Sequence, residues 1–224
     1  AQIIRELEEQ GAHNINLVTP TQFLPFILRA LDQVRPRLSI PIVYNCGGYE
    51  LVSTVKALKD YVDIWLPDLK YFNNGLAWEL SRAGDYFETA SAAIAQMIAQ
   101  TGPPVFEEHV YSHPGLADRK FTLIKKGVII RHLVLPGHRE DSMALLRWIC
   151  SHLPADSFLL SLLSQYTPVL PDPKHPELNR RLTSYEYDKV VEEAVRLGLT
   201  HGYMQKKSSA REEYTPPFNL EGLP

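Results

Sequence analysis

Charged side chains stand at the end of one apolar, strand-like run of this sequence and inside another. Asp68 and Lys70 follow the run 62–66, and Arg131 interrupts the run 128–135. Apolar runs of this kind are typical of buried parallel strands, and ligands of α/β folds bind at the carboxyl ends of such strands. The sequence therefore predicts a site at one rim of a barrel-like sheet.

These residue types allow either ligand binding or a structural ion-pair network. Strand alternation points Asp68 and Lys70 to the same face. Because buried charges are unfavourable without a partner or a purpose, we interpret the pair as ligand-binding rather than as a salt bridge that closes the strand. For Arg131 two alternatives stay open: it faces the Asp68 carboxylate, or it binds an anionic ligand. A lyase that uses Lys70 as a Schiff-base amine is a further hypothesis.

The cysteines and histidines give weaker indications of chemistry. Cys46 lies in an Asn-Cys-Gly-Gly turn without an acid–base partner beside it in sequence, and Cys150 is predicted to be a packed core thiol. His109 and His113 have i,i+4 spacing in an irregular segment, which disfavours a metal site. His132 is predicted to be a half-buried histidine with satisfied hydrogen bonds.

Helical and strand-like patterns alternate along the chain, which predicts a parallel sheet with right-handed crossovers. The predicted strands cover 14–18, 40–44, 62–66, 128–135 and 158–163. Thr19 or Thr21 is predicted to cap the helix that ends near residue 34. Residues 101–126 form a loop or an extra β excursion. Because a closed eight-strand barrel typically needs about 250 residues, we expect an open partial barrel or a doubly wound sheet.

Composition excludes several classes of protein. The 224 residues carry a net charge of −3, which offers no basic field for nucleic acid, and no apolar run approaches the ~20 residues of a membrane span. The cysteine usage fits a cytoplasmic protein. We expect a barrel portion over 1–204 and a polar, poorly ordered tail over 205–224. The sequence begins without Met, inside a helical pattern, so we expect it to be a piece of a longer protein.

Four segments resemble the radical S-adenosylmethionine (SAM) superfamily, and within it proteins related to pyruvate formate-lyase activating enzyme. They are 11–21 (GAHNINLVTPT), 44–49 (YNCGGY), 65–72 (WLPDLKYF) and 129–137 (IIRHLVLPG). The last two are the most specific, since a DLK strand end followed by an IRxxVxPG strand is characteristic of the activating enzymes. The first is similar to an uncharacterised branch of that family.

The resemblance implies a (βα)6 partial barrel, here without its first βα unit, together with SAM and a [4Fe–4S] cluster. The reduced cluster cleaves SAM to a 5′-deoxyadenosyl radical, which abstracts a hydrogen atom from the substrate. The implied partners are a glycyl-radical enzyme or another protein substrate, and an electron donor such as flavodoxin or ferredoxin.

Residue by residue, the resemblance implies a set of SAM ligands in this chain. They are Thr19, Thr21, Asn45, Asp68, Lys70, Arg131 and Tyr166. The family's Cys-x3-Cys-x2-Cys cluster motif does not occur in the 224 residues, and two isolated cysteines cannot supply three thiolates. We therefore expect this chain alone to bind no cluster and to be inactive. The alternative is a non-catalytic barrel module that binds SAM or a partner protein.

Overall fold

A computed structural model of the chain describes residues 1–111, 119–168 and 171–204. The predicted tail, 205–224, and His113 lie outside the described residues. The helices are α1 (Gln2–Glu9), α2 (Leu24–Val34), α3 (Val52–Ala57), α4 (Asn74–Ser81), α5 (Tyr86–Thr101), α6 (Arg139–His152) and α7 (Ser184–Arg196). The strands are β1 (Ile15–Val18), β2 (Ile42–Cys46), β3 (Ile64–Pro67), β4 (Val105–Tyr111), β5 (Arg119–Leu133), β6 (Leu159–Leu163) and β7 (Gly202–Met204).

The strands form an open sheet in the order β1-β2-β3-β5-β6-β7. The pairs β1–β2, β2–β3, β3–β5 and β6–β7 are parallel, and β4 is an antiparallel partner of β5. The predicted α/β partial barrel with outer helices is confirmed, since the sheet is parallel, flanked by helices and not closed. None of the helices in the described residues has the length and apolar character that a bilayer span requires.

The chain divides into two compact units. Unit 1 comprises Ala1–Pro67, Glu88–Ile130 and Pro154–Leu159. Unit 2 comprises the described residues of Asp68–Phe87, Arg131–Leu153 and Leu160–Pro224.

Each unit has an apolar interior. In unit 1 the side chains of Tyr44 on β2 and Trp65 on β3 are fully buried, and their ring centroids lie 5.1 Å apart. In unit 2, α6 packs against α7, and both helices carry buried aliphatic side chains. These are Leu145, Leu146, Ile149, Val190 and Ala194. Burial of such side chains is the main favourable contribution to folding.

The described residues of segment 101–126 form an extra β excursion, the second of the two alternatives that the sequence left open. It contains the antiparallel pair of β4 with the first part of β5, which makes β5 much longer than the predicted strand 128–135. The short edge strand β7 was not predicted, because a three-residue strand carries no periodic signal.

Two local predictions are wrong. Neither threonine caps α2: Thr19 adopts a left-handed φ of 49°, and Thr21 begins a short 3-10 turn while its hydroxyl contacts another loop. Cys150 is exposed rather than packed in the core. The buried stripe of α6 ends with Ile149, and one further residue turns a helix by about 100° toward solvent.

The last helix, α7, begins with a capping box. The Thr183 hydroxyl accepts a hydrogen bond from the Glu186 N–H, and the Glu186 carboxylate accepts from the Thr183 N–H. The same carboxylate is paired bidentately with Arg180 at 2.7 and 2.8 Å and accepts a hydrogen bond from the Gly137 N–H. Glu186 thereby links the start of α7 to the turn that follows β5.

Candidate functional site

The carboxylate of Asp68 lies between two cations at a strand end of unit 2. Just after β3, Asp68 forms an isolated parallel bridge with Arg131 of β5. Its Oδ1 is 2.7 Å from Arg131 Nη2, and its Oδ2 is 3.0 Å from Lys70 Nζ. The three residues that the sequence singled out are therefore in direct contact. Together they carry one negative and two positive charges, a net charge of +1.

These three residues line one wall of a cavity of about 240 Å³ in unit 2. The remaining lining is Tyr71, Leu133, Leu135 and Leu163. The side chains of Asp68, Lys70 and Arg131 keep 23%, 42% and 25% of their surface exposed, so a ligand can reach them. Charged groups beside aliphatic walls match a ligand that has an ionic end and an apolar body.

His132 is the buried histidine with satisfied hydrogen bonds that the sequence predicts, although it is fully rather than half buried. Its Nδ1 lies 2.7 Å from the Leu69 carbonyl oxygen and its Nε2 lies 2.8 Å from the Ser142 hydroxyl. Because a carbonyl oxygen only accepts, Nδ1 carries the proton and Nε2 accepts from the hydroxyl. Burial lowers the pKa of His132, which keeps the ring neutral.

Tyr86 is a second residue that contacts this strand end, and the sequence gives no signal for it. Its hydroxyl donates to the Asp68 carbonyl oxygen and accepts from the Lys70 N–H, both at 3.0 Å. It stands at the first position of α5, where a buried tyrosine is simply one more apolar residue of the helical pattern.

Three of the SAM ligands implied by the resemblance, Thr19, Thr21 and Asn45, lie in unit 1. The Thr19 N–H donates to the Asn45 carbonyl oxygen at 2.8 Å, so the ends of β1 and β2 are held together. The Thr21 hydroxyl donates to the Glu50 carboxylate at 2.6 Å and lies 3.2 Å from the Tyr44 hydroxyl. Thr21 is thus engaged in an internal network.

Glu50 is a buried acid that sequence analysis missed. It is only 5% exposed, and this burial raises the pKa of its carboxyl group. Tyr44, which lies beside Glu50, is also buried, and its own burial raises the pKa of its hydroxyl group. The partner of Glu50, Thr21, is 29 residues away in sequence, and one exposed-looking glutamate after a Gly-Gly pair gives no periodic sign of burial.

Tyr166, the last implied SAM ligand, follows β6 in unit 2. Its hydroxyl donates to the Leu178 carbonyl oxygen at 2.9 Å, in the 3-10 turn Pro176–Asn179 that precedes α7. Its ring also lines a separate cavity of about 380 Å³ in the same unit, together with Ser164 and Thr183.

The cysteines do not fit a [4Fe–4S] cluster. Cys46 is buried at the end of β2, and Cys150 is exposed on α6. Within the part of the chain that the structure describes, no group of three or more His, Cys, Asp or Glu side chains is placed to hold a metal ion. His109 lies on β4 and stacks on Phe121 at 5.6 Å.

Comparisons with known proteins identify a relative of similar sequence and a solved structure of similar fold. No family model matches the sequence. The chain is 30% identical over 203 residues to the uncharacterized protein MJ0674 of Methanocaldococcus jannaschii. This alignment covers 89% of this chain and 51% of MJ0674. The fold of this chain is similar to that in the crystal structure of methylornithine synthase (PylB), with a TM-score of 0.50 and 14% sequence identity. The superposition covers 91% of this chain and 52% of the PylB chain. The chain thus spans about half the length of each, and the structural likeness shows a shared fold.

Proposed function

We propose that this chain contributes SAM-binding strand ends to a radical SAM enzyme. The observation that carries the proposal is the contact of Asp68 with both Lys70 and Arg131 at neighbouring strand ends, in a cavity with aliphatic walls. The open α/β barrel supports it, because this fold is similar to the radical SAM type of TIM barrel. Activity, substrate and partners of the whole protein are part of this proposal.

The charges and the apolar walls of the cavity match the groups of SAM. Lys70 and Arg131 suit its carboxylate, because ammonium and guanidinium groups both form charge-assisted hydrogen bonds with carboxylates. Asp68 suits its cationic amino or sulfonium group, and Leu133 and Leu163 offer apolar surface. With a reduced [4Fe–4S] cluster beside it to deliver one electron, SAM would split into methionine and the 5′-deoxyadenosyl radical, which would abstract a hydrogen atom. We assign no cluster ligand to this chain, since neither Cys46 nor Cys150 fits.

The finer assignment is to the enzymes that activate glycyl-radical enzymes. The support for it is the pair of segments 65–72 and 129–137, which carry the DLK and IRxxVxPG patterns. On this proposal the substrate is a glycine Cα of a partner protein, and flavodoxin or ferredoxin delivers the electron. The ion pair between Asp68 and Arg131 joins one residue from each of these segments, which supports the assignment.

A SAM-binding module without radical chemistry is the second candidate. The misfit of Cys46 and Cys150 to a cluster favours it. The two candidates are separated by isolating the protein anaerobically from its native source, reducing it with dithionite in the presence of SAM, and measuring 5′-deoxyadenosine by chromatography. The enzyme produces 5′-deoxyadenosine, whereas the module binds SAM and returns it intact. A protein that neither binds nor cleaves SAM would exclude both.

A further inference from the structure

We infer that Tyr86 and His132 are positioning residues that hold Asp68 and Lys70 in their binding geometry. The inference rests on the proposed function, because it concerns the same ligand site. It assigns a role to two side chains that do not line the cavity themselves. Both act through the main chain of the three-residue segment Asp68-Leu69-Lys70.

Tyr86 holds one side of this segment. The ladder between β2 and β3 ends at the pair Cys46–Pro67, so the polar main-chain groups that follow require other partners. The Tyr86 hydroxyl is the partner of two of these groups, because it donates to the Asp68 carbonyl oxygen and accepts from the Lys70 N–H. Its side chain is 3% exposed and its ring packs edge-on against Tyr71 at 5.4 Å, so the hydroxyl is fixed in place.

His132 and its neighbour Arg131 hold the other side. The Leu69 N–H donates to the Arg131 carbonyl oxygen at 2.8 Å, and the Leu69 carbonyl oxygen accepts from His132 Nδ1 at 2.7 Å. The Ser142 hydroxyl on α6 fixes the opposite edge of the imidazole. Since His132 is 1% exposed, no water replaces it as the donor.

The consequence of this double attachment is a preorganised site. Leu69 is fully buried and points away from the cavity, so Asp68 and Lys70 on either side of it point into the cavity. With the main chain held at residues 68, 69 and 70, the carboxylate and the ammonium keep their 3.0 Å separation without a ligand. A site that is ordered before binding loses less conformational entropy when the ligand arrives.

The Tyr86→Phe variant removes the hydroxyl and nothing else. Tyr187→Phe is the matched control, because Tyr187 is 5% exposed and its hydroxyl also donates to a main-chain carbonyl oxygen, that of Leu162, at 2.9 Å. Amide hydrogen exchange resolved by NMR is the first measurement. In Tyr86→Phe we expect exchange of the Lys70 amide to rise about tenfold more than that of Leu69, whose acceptor is intact. Tyr187→Phe should leave this ratio unchanged.

The SAM dissociation constant from calorimetry is the second measurement. We expect Tyr86→Phe to weaken SAM binding about tenfold, and Tyr187→Phe to leave it unchanged even when both variants lose the same stability. For the other side of the segment, His132→Asn retains an N–H donor toward Leu69, whereas His132→Leu does not. His132→Asn should therefore keep most of the affinity that His132→Leu loses.

The outcomes separate this inference from the proposed function. Wild-type protein that binds SAM while Tyr86→Phe binds it equally well would overturn the positioning role and leave the function standing. Wild-type protein that does not bind SAM would overturn the function, and the Lys70 exchange ratio then decides by itself whether Tyr86 fixes the segment. An unchanged ratio in Tyr86→Phe would contradict the inference in either case.

Discussion

Asp68 and Arg131 are joined twice, by a parallel main-chain bridge and by an ion pair of 2.7 Å between their side chains. The main-chain bridge fixes the register of the two residues relative to each other. Their side chains lie on the same face of the sheet and can therefore form the ion pair. With Lys70 on the other carboxylate oxygen, a single negative charge separates two positive charges. Removing the charge of the Asp68 carboxylate should therefore reduce both the stability of the protein and its affinity for a ligand.

Asp68→Asn is expected to lower the free energy of unfolding by about 1–3 kcal/mol, because Lys70 and Arg131 then face each other with no anion between them. Urea denaturation measures the change. Glu192→Gln is the control, since Glu192 pairs with Lys189 on an exposed face of α7 and should change stability by less than about 1 kcal/mol. Equal effects of the two substitutions would show that the Asp68 carboxylate has no special role.

Thr21→Val should destabilise unit 1 through the buried Glu50. Without the Thr21 hydroxyl, the Glu50 carboxylate loses its 2.6 Å donor, at an expected loss of about 1–3 kcal/mol. Burial raises the pKa of Glu50, so its ionisation opposes folding, and the loss should grow as pH rises above about 4.5.

The double variant Thr21→Val/Glu50→Gln provides the matched control in a double-mutant cycle measured at several pH values. A neutral amide in place of the carboxylate should remove the pH-dependent part of the loss. Additive effects that do not vary with pH would contradict a coupling between Thr21 and Glu50.

His132 should make the protein less stable in mild acid. Burial lowers the pKa of His132, so between its folded-state pKa and the unfolded value of about 6.5 the unfolded chain binds a proton that the native ring does not. The contribution of His132 to stability is therefore complete above pH 6.5 and is lost as pH falls below it.

Thermal unfolding at a series of pH values measures this loss. His132→Asn cannot titrate, so its profile should be flatter than that of the wild type between pH 6.5 and 5. His152→Asn is the control, because His152 lies on the exposed end of α6. If His132→Asn and the wild type had parallel profiles, the buried neutral imidazole would not be the cause.

Glu186→Gln should strongly destabilise unit 2, because the Glu186 side chain is buried and carries a charge that its neighbours stabilise. The Arg180 guanidinium holds the pKa of the Glu186 carboxyl well below its usual range, with further hydrogen bonds from Thr183 and Gly137. We expect a loss of about 2–3 kcal/mol at pH 7.

The sign of the pH effect follows from the lowered pKa. The contribution of Glu186 is complete above about pH 4.5 and is lost as pH falls below that value. The difference between wild type and Glu186→Gln should therefore shrink in acid, as urea denaturation at pH 7 and pH 3 measures. Glu192→Gln, in the exposed pair with Lys189, should show almost no difference at either pH.

The sequence predicts the parts of the site that follow from strand alternation. Asp68 and Lys70 flank Leu69 and must share a face, and a central-strand arginine such as Arg131 requires an anion, so their contact was one of the stated alternatives. The five main strands follow from the apolar runs in the same way. These predictions depend only on local periodicity and on the cost of burying charge.

The remaining parts depend on contacts between distant residues, which local patterns do not encode. Tyr86 contacts residues 68 and 70 across a loop and a helix, and Glu50 finds its donor 29 residues upstream. Both look like ordinary helix or loop residues in the sequence. The exposure of Cys150 shows that local periodicity also fails at the border of a helix face. A shift of one position moves a helical residue from the apolar stripe to its edge.

Calorimetric titration of SAM into the wild type and two lysine variants tests the central claim most directly. Lys70 and Lys189 are a matched pair, with side chains 42% and 43% exposed and an ion pair to a carboxylate at 3.0 and 2.6 Å. The account predicts saturable binding of SAM to the wild type and to Lys189→Met, and binding at least about tenfold weaker in Lys70→Met. Absence of binding to the wild type, or equal affinity of Lys70→Met and Lys189→Met, would contradict it.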